Sequence, residues 1–221
     1  MTYYQVLNQP LDAKTFTTQL VAMQLIGLHL AQVRGSMDEG SVVNMVEGMK
    51  RLPALVDRVL ESVPAITDLA KELANIRDVF FLGRSGDFPV AMEGALKLKE
   101  IAYTRAEGYA AGEMKHGPIA LIEPGVLVVG VATDSHVRGK TLSNMAEMKA
   151  RGATILMIVE DGHGDEAAAV ADHIVQVPAG PDLICTVTSV VPLQVLAYQI
   201  ASARGLDVDK PRNLAKTVTV E

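Results

Sequence analysis

GVLVVGVATDSHVRGKTLSNMAEMKARGATILMIVE, residues 125–160, contains the pattern that decides the fold. Its two ends, residues 125–132 and 153–160, are short apolar runs of the kind found in strands buried on both faces. The segment between them, residues 140–151, has a helical pattern. Strand and helix alternating at this pitch predict a parallel sheet with helices on both faces.

The same alternation continues on either side of this stretch. Residues 78–83, DVFFLG, form another short apolar run that ends in glycine, which predicts a buried parallel strand. The remaining predicted elements are, in chain order, a helix over 88–103, a short helix over 166–171, a strand over 173–178 and an apolar helix over 184–204 with a kink or break at Pro192. We therefore predict an α/β fold, a three-layer α-β-α domain on a mainly parallel sheet.

The first third of the chain has helical patterns and no predicted strand. Helices are predicted over residues 14–34, 42–49, 53–62 and 64–75. We expect residues 1–70 to form a helical arm, residues 71–205 the α/β domain, and residues 206–221 a C-terminal tail. The tail either docks for a purpose or ends in an edge strand, TVTV.

Composition limits the functional classes. The chain has 221 residues, a net charge of −6 and no basic stripe, which argues against nucleic-acid binding. Its single cysteine, Cys185, fits a reducing compartment. We find no signal-peptide pattern and no run of eighteen apolar residues, so we expect a cytoplasmic protein without a membrane span. No motif for a metal or cofactor is present, and we expect neither.

Chemically active residues are concentrated in residues 92–123. Glu93, Lys97 and Glu100 are spaced so that a helix places them on one face, whereas Lys99 points elsewhere. A carboxylate beside an ammonium can move protons. The alternative is a solvated helix face with ion pairs. Because the surrounding helix is apolar, we favour the functional interpretation.

Three other residues carry reactive groups. His116 precedes a Gly-Pro turn, where an imidazole can act as an acid or base, although an ordinary loop histidine fits as well. Lys216 lies among apolar neighbours, where burial could lower its pKa enough for attack on a carbonyl. A tail lysine with a buried stem is the alternative. Cys185 is interpreted as a buried small hydrophobe.

Two loops follow predicted strands and could hold a phosphate. Residues 83–89, GRSGDFP, contain two glycines but no complete phosphate-binding motif. Residues 133–141, TDSHVRGKT, offer hydroxyl and basic groups. A helix N-cap at Thr141 or Ser143 is the simpler explanation for this second loop.

Three blocks of the sequence resemble a known family. LGRSGDFPVAMEGALKLKEIAY (82–103), AEGYAAGEMKHGPIALI (106–122) and DVDKPRNLAKTVTVE (207–221) are similar to the isomerase part of glutamine–fructose-6-phosphate aminotransferase. Members of that family make glucosamine 6-phosphate with two sugar-isomerase (SIS) domains. The resemblance implies that this chain contains the last helix of the first SIS domain, linking helices, the second SIS domain and its tail.

The resemblance also implies roles for individual residues. Glu100 matches the base that moves a proton between C1 and C2 of the open-chain sugar, and Lys97 matches a lysine that assists it. His116 matches the histidine linked to ring opening, which is donated across a dimer interface. Lys216 matches the lysine that forms an imine with fructose 6-phosphate, and the backbone of Ala215 lies beside the sugar. A sugar phosphate and a second copy of the chain are therefore the expected partners.

The chain departs from the family pattern in two respects. It has no glutaminase domain, and it lacks nearly all of the first SIS domain with its phosphate-holding loops. We therefore expect weak turnover or none by the chain alone. The alternative is a non-catalytic SIS module for sugar-phosphate binding or dimerisation. A deglycase or deaminase of the same fold fits less well, because the tail block is specific to the aminotransferase.

Overall fold

The sheet is parallel and has five strands. The computed structural model describes residues 13–213. The strand order is β2-β1-β3-β4-β5, and every neighbouring pair is parallel. The strands are β1 (Asp78–Gly83), β2 (Arg105–Ala110), β3 (Leu127–Ala132), β4 (Thr154–Glu160) and β5 (His173–Val177).

Helices precede the sheet and cover both of its faces. They are α1 (Ala13–Arg34), α2 (Glu39–Lys50), α3 (Leu52–Leu60), α4 (Val63–Glu72), α5 (Asp87–Ala102), α6 (Arg138–Lys149), α7 (Gly164–Ala168) and α8 (Asp182–Ala203). Two short 3-10 turns, Ala111–His116 and Pro118–Leu121, follow β2. This architecture confirms the predicted α/β fold of three layers.

The two sides of β1 face different helices. Val79 and Phe81 belong to a core shared with α5 and α8, whereas Phe80 and Leu82 belong to a second core under α6. This alternation follows from the period of two along a strand. The sheet is therefore buried on both faces, as its apolar strands predicted.

The edge strand β2 was not predicted from the sequence. Its residues, RAEGYA, alternate little, and only Ala106 is fully buried. A strand at the edge of a sheet needs no long apolar run, because half of its surroundings are solvent. At Gly108 the strand β2 lies very close to α5, because a Cβ there would be 2.9 Å from the Cα of Met92. The packing of α5 over β2 therefore requires glycine at this position.

The last helix, α8, forms the centre of the larger core. It continues through Pro192, which is itself buried, without the break that the sequence allowed. By length and mean hydropathy α8 is apolar enough to cross a membrane, yet 83% of that apolar window is buried inside the domain. Its apolar composition is therefore explained by its position between α5 and the preceding helices α1, α3 and α4.

The arm helix α1 is only partly covered within the described residues. Phe16 packs against the larger core, and the Gln24 side-chain amide donates to the Leu183 carbonyl at 2.7 Å. Four apolar side chains farther along α1 are more than half exposed: Met23, Ile26, Leu30 and Val33. The helix was correctly predicted, and its far end has an apolar face that this part of the chain does not cover.

Arg204 connects the ends of three helices at the amino edge of the sheet. It follows α8, and its guanidinium donates to the carbonyls of Ala74 at 2.5 Å, Ile76 at 2.6 Å and Ala102 at 2.6 Å. Those carbonyls lie just beyond α4 and at the end of α5. The end of α8 is thereby fixed beside the end of α5.

We expect Gly94→Ala to destabilise the domain. A Cβ on Gly94 would lie 2.8 Å from Cδ1 of Leu193 on α8 and 2.9 Å from Cε1 of Phe81 on β1. Overpacking of this kind costs about 1–3 kcal/mol of unfolding free energy, measurable by urea denaturation. Gly139→Ala is the control, because a Cβ on Gly139 meets nothing within 4 Å. Equal stability of the two variants would contradict this packing.

Candidate active site

A row of three charged side chains on α5 forms the candidate active site. We call Glu93, Lys97 and Glu100 the charged row. The Lys97 ammonium lies 2.8 Å from Oε2 of Glu100 and 3.5 Å from Oε1 of Glu93. Lys99 is exposed on another face of the helix. The predicted proximity of the three groups is therefore confirmed.

The charged row is more deeply buried than ordinary surface ion pairs. The side chains of Lys97 and Glu93 are 3% and 6% exposed, whereas that of Glu100 is 24% exposed. The interpretation as a solvated helix face is thus wrong. A buried ammonium needs carboxylate partners, and here it has one on each side. Glu100 is the member with solvent access, so its carboxylate is the one that a substrate can reach.

His116 lies at the opposite edge of the sheet from Glu100. Helix α5 runs back along the sheet for 16 residues, about 24 Å, and ends near Asp78 and Arg105 at the amino edge. Strand β2 then returns to the carboxyl edge, where Ala110 pairs with Gly83 and the turn bearing His116 begins. Within one chain the exposed His116 is therefore not brought together with the charged row.

Lys216 and Ala215 lie outside the described residues. The described chain ends at Asn213, immediately after a contact between Arg212 and Tyr103. Tyr103 is three residues beyond Glu100, just after the end of α5. The last described part of the tail therefore lies at the same end of α5 as Glu100.

A buried carboxylate that the sequence analysis did not single out lies at the carboxyl edge. Asp87, the first residue of α5, is 1% exposed. It accepts hydrogen bonds from Thr133 N at 2.9 Å, Thr133 Oγ1 at 2.6 Å and Asp134 N at 2.9 Å. Burial raises the pKa of Asp87 despite these hydrogen bonds. An aspartate opening an otherwise apolar helix was the signal that could have identified it.

The loop after β3 does not form the phosphate site considered above. The carboxyl ends of β1 and β3 flank the crevice where the strand order reverses, the usual ligand site in such sheets. The amide of Ser135 donates to Asp182 at 3.2 Å and that of His136 to Asp134 at 3.0 Å, in addition to the two bonds to Asp87. A phosphate would meet these carboxylates instead of free N–H donors.

The N-cap interpretation of this loop is also wrong. Helix α6 begins at Arg138, and Thr141 is already inside it, with its hydroxyl donating to the Val137 carbonyl at 3.3 Å. Arg138, the first residue of α6, makes a different contact. The Arg138 guanidinium forms a buried ion pair with Glu160 at the end of β4 and donates to the Ala132 carbonyl at 3.2 Å.

Cys185 belongs to the same buried cluster. Its thiol is inaccessible to solvent and donates to Oε1 of Glu160 at 3.1 Å. Burial first, and then the hydrogen bond to Glu160, strongly raise the pKa of Cys185. The interpretation of Cys185 as a buried side chain is confirmed.

A cavity of about 570 Å³ lies beside Tyr103 at the amino edge of the sheet. Three arginines, Arg77, Arg105 and Arg204, line it together with residues that follow α4 and α5. Arg204 is already bonded to carbonyls, and Arg105 pairs with Asp78 at 3.2 Å. Arg105 and Arg204 therefore serve structural contacts, whereas Arg77 is exposed. The charged row remains the candidate for chemistry.

Comparison with known proteins identifies related chains. A family model described as SIS domain matches residues 72–204. The glutamine–fructose-6-phosphate aminotransferase (isomerizing) of Gloeobacter violaceus is 51% identical over 211 residues, covering 94% of this chain and 34% of that protein. The same enzyme of Streptomyces coelicolor is 49% identical over 215 residues, covering 95% of this chain and 35% of that protein.

A solved structure agrees with these sequence relatives. The C-terminal domain of glucosamine-fructose-6-phosphate aminotransferase from Francisella tularensis superposes with a TM-score of 0.85 and 36% identity, covering 90% of this chain and 56% of that chain. The chain spans about a third of the length of the curated relatives it matches.

We expect Lys97→Met to destabilise the chain strongly, because it removes the ammonium from between two carboxylates. Breaking a buried pair by deleting one partner costs about 3–5 kcal/mol. The double variant Glu93→Gln/Lys97→Met should regain part of that loss, since the buried carboxylate is removed with the ammonium. Chemical denaturation of the four members of this cycle measures the coupling. Additive effects would contradict a buried ion pair.

We expect Cys185 to resist alkylation in the native chain. Because its pKa is raised, the thiolate that reacts with iodoacetamide is not populated at pH 8. Mass spectrometry should show no adduct on the folded chain and complete labelling in guanidinium chloride. Rapid labelling of the folded chain would show that the thiol is accessible.

Proposed function

The chain belongs to the SIS-domain family, and we propose that it is the isomerase portion of a glutamine–fructose-6-phosphate aminotransferase. In this proposal it converts fructose 6-phosphate and ammonia to glucosamine 6-phosphate. The observation that carries the proposal is the charged row, in which a partly exposed carboxylate, Glu100, is held by a buried ammonium, Lys97. The names of its relatives from Gloeobacter and Streptomyces support the substrate.

The proposed chemistry divides between the tail and the charged row. The Lys216 amine attacks the C2 carbonyl of the open-chain sugar and forms an imine with loss of water. Ammonia then displaces the lysine from C2. The Glu100 carboxylate removes a proton from C1 and returns it to C2, which converts the ketose skeleton to that of the amino aldose. Lys97 holds the Glu100 carboxylate in place, and the Ala215 backbone lies beside the sugar.

The position of His116 supports a homodimer. One chain holds His116 and Glu100 at opposite edges of the sheet, so an imidazole that opens the sugar ring at Glu100 must come from a second chain. His116 is exposed and follows directly from the edge strand β2. We therefore propose that two copies complete each other's sites.

The phosphate-binding groups are proposed to lie outside this chain. In the loop after β3, the amides that could bind a phosphate donate to Asp87, Asp134 and Asp182 instead. We propose that residues 1–70 are an arm that continues a preceding SIS domain, that residues 71–205 are the second SIS domain, and that residues 206–221 are the catalytic tail. The chain alone should then turn over slowly or not at all.

The amides of the loop after β3 are already bonded to aspartates. This favours the second candidate function, a non-catalytic SIS module for sugar-phosphate binding or dimerisation. This module would keep the charged row as an inherited ion pair without using it. Only the catalytic function requires a covalent imine at Lys216, so the imine distinguishes the two functions.

We expect borohydride to trap fructose 6-phosphate on Lys216 when the chain is incubated with millimolar sugar. Reduction converts the imine to a stable secondary amine, which peptide mass spectrometry locates. Lys216→Arg is the matched control, because a guanidinium keeps the charge but forms no imine. A chain without any adduct at Lys216 would favour the non-catalytic module.

We expect Glu100→Gln to stop proton transfer while imine formation continues. The amide cannot accept the C1 proton, so exchange of the C1 hydrogen with D2O, followed by NMR, should fall at least about 100-fold. Trapping at Lys216 should remain within about threefold of the unmodified chain. Glu113→Gln, at an exposed glutamate, is the control. Unchanged C1 exchange in Glu100→Gln would reject Glu100 as the base.

A further inference from the structure

We propose that Tyr103 is a positioning residue that anchors the C-terminal tail so that Lys216 is delivered to Glu100. This inference rests on the proposed function of Lys216, but its physical basis lies wholly in described residues. We call the contact between Tyr103 and Arg212 the tail anchor.

One aromatic side chain holds both the backbone and the side chain of Arg212. The Tyr103 hydroxyl accepts the Arg212 backbone N–H at 2.8 Å. The guanidinium carbon of the same arginine lies 4.3 Å from the centroid of the Tyr103 ring. A hydrogen bond and a cation–π contact to one residue fix the direction of the chain as well as its location.

The backbone of Tyr103 has a conformation that is unusual for its residue type. It caps α5 with φ +52° and ψ +30°, in the left-handed region where helices end on glycine or asparagine. A bulky side chain there is uncommon and is maintained only by its surroundings. Tyr103 directly follows the last residue of α5, and its ring contacts Arg212 in the tail.

The segment that leads to the tail anchor is itself held at several points. Gly205, with φ +67°, turns the chain after α8, and Leu206 and Val208 pack against the larger core. The Asp207 carboxylate then accepts the backbone N–H groups of Asp209 at 2.9 Å and Lys210 at 3.2 Å. The chain therefore reaches Tyr103 along a defined path.

The base of the tail anchor is also fixed. Arg204 bonds to the Ala102 carbonyl at 2.6 Å and to Thr104 Oγ1 at 2.7 Å, the residues on either side of Tyr103. The origin of the tail and the residue that anchors it are thus joined by one guanidinium.

The short stretch of chain between Arg212 and Lys216 makes the tail anchor relevant to the position of the Lys216 amine. Glu100 lies in the last turn of α5 and precedes Tyr103, the residue that caps this helix, by three residues. Lys216 follows Arg212 by four residues, so its backbone lies at most about 14 Å from the anchor. Without the anchor, the last packed residue would be Val208, eight residues from Lys216. The anchor shortens the chain between the last held residue and Lys216 from eight residues to four, which raises the effective concentration of the amine roughly threefold.

The test uses two substitutions that separate the contacts. Tyr103→Phe removes only the hydroxyl that accepts the Arg212 N–H. Tyr103→Asn removes the ring, while asparagine tolerates the left-handed backbone and so preserves the end of α5. Tyr109→Phe is the matched control, because that hydroxyl bonds to Glu107 within β2. Urea denaturation checks that all variants fold.

Two measurements on the 221-residue chain then decide between outcomes. Hydrogen exchange of the peptide containing Arg212 should be about fivefold faster in Tyr103→Phe, faster still in Tyr103→Asn, and unchanged in Tyr109→Phe. The rate of borohydride trapping at Lys216 should fall about three- to tenfold in Tyr103→Asn. The sugar concentration for half-maximal trapping should not change, because a residue that acts only by positioning the tail makes no contact with the sugar.

The two measurements fail independently. Exchange at Arg212 that is the same in all variants overturns the tail anchor, whatever the trapping result. Exchange that depends on Tyr103 with unaltered trapping overturns the positioning role. If the unmodified chain traps no sugar while exchange still depends on Tyr103, the tail anchor stands, and both the imine function and the delivery of Lys216 are rejected.

Discussion

The burial of one ammonium in an apolar helix constrains the whole candidate site. Lys97 is 2% exposed, and a charge at that depth is stable only with carboxylates beside it. Glu93 and Glu100 meet this requirement from the preceding and following turns of α5. Because α5 is packed between the sheet and α8, it cannot rotate to expose Lys97. The Glu100 carboxylate is therefore fixed in one orientation with one side open to solvent.

The direction of α5 determines how the remaining groups can assemble. A helix after a parallel strand runs back toward the amino edge, so Glu100 lies far from the crevice where open sheets usually bind ligands. His116, at the carboxyl edge, is separated from it by the length of β2. The start of the tail is held by Arg204 and Tyr103, and it lies at the same end of α5 as Glu100. The proposed site therefore requires the C-terminal tail of the same chain and His116 from a second copy of the chain.

The crevice itself illustrates a limit of interpretation from sequence. Residues 133–141 contain hydroxyl and basic side chains, which suggested phosphate binding or an N-cap. In the structure, Asp87 and Asp182 approach from two different helices and accept the amides that a phosphate would use. Each of these aspartates is more than forty residues away from the loop in sequence. No local pattern could show that they converge there.

The parallel α/β fold and the proximity of Glu93, Lys97 and Glu100 could be predicted from the amino-acid sequence, because both follow from periodicities of two and 3.6 residues along the chain. The sequence did not indicate the edge strand β2, whose half-exposed residues need no apolar run. The burial of Lys97, the accessibility of Glu100 and the contact between Tyr103 and Arg212 are visible only in the folded chain. Burial and contacts between distant segments depend on how the layers pack, and packing is not a property of any one segment.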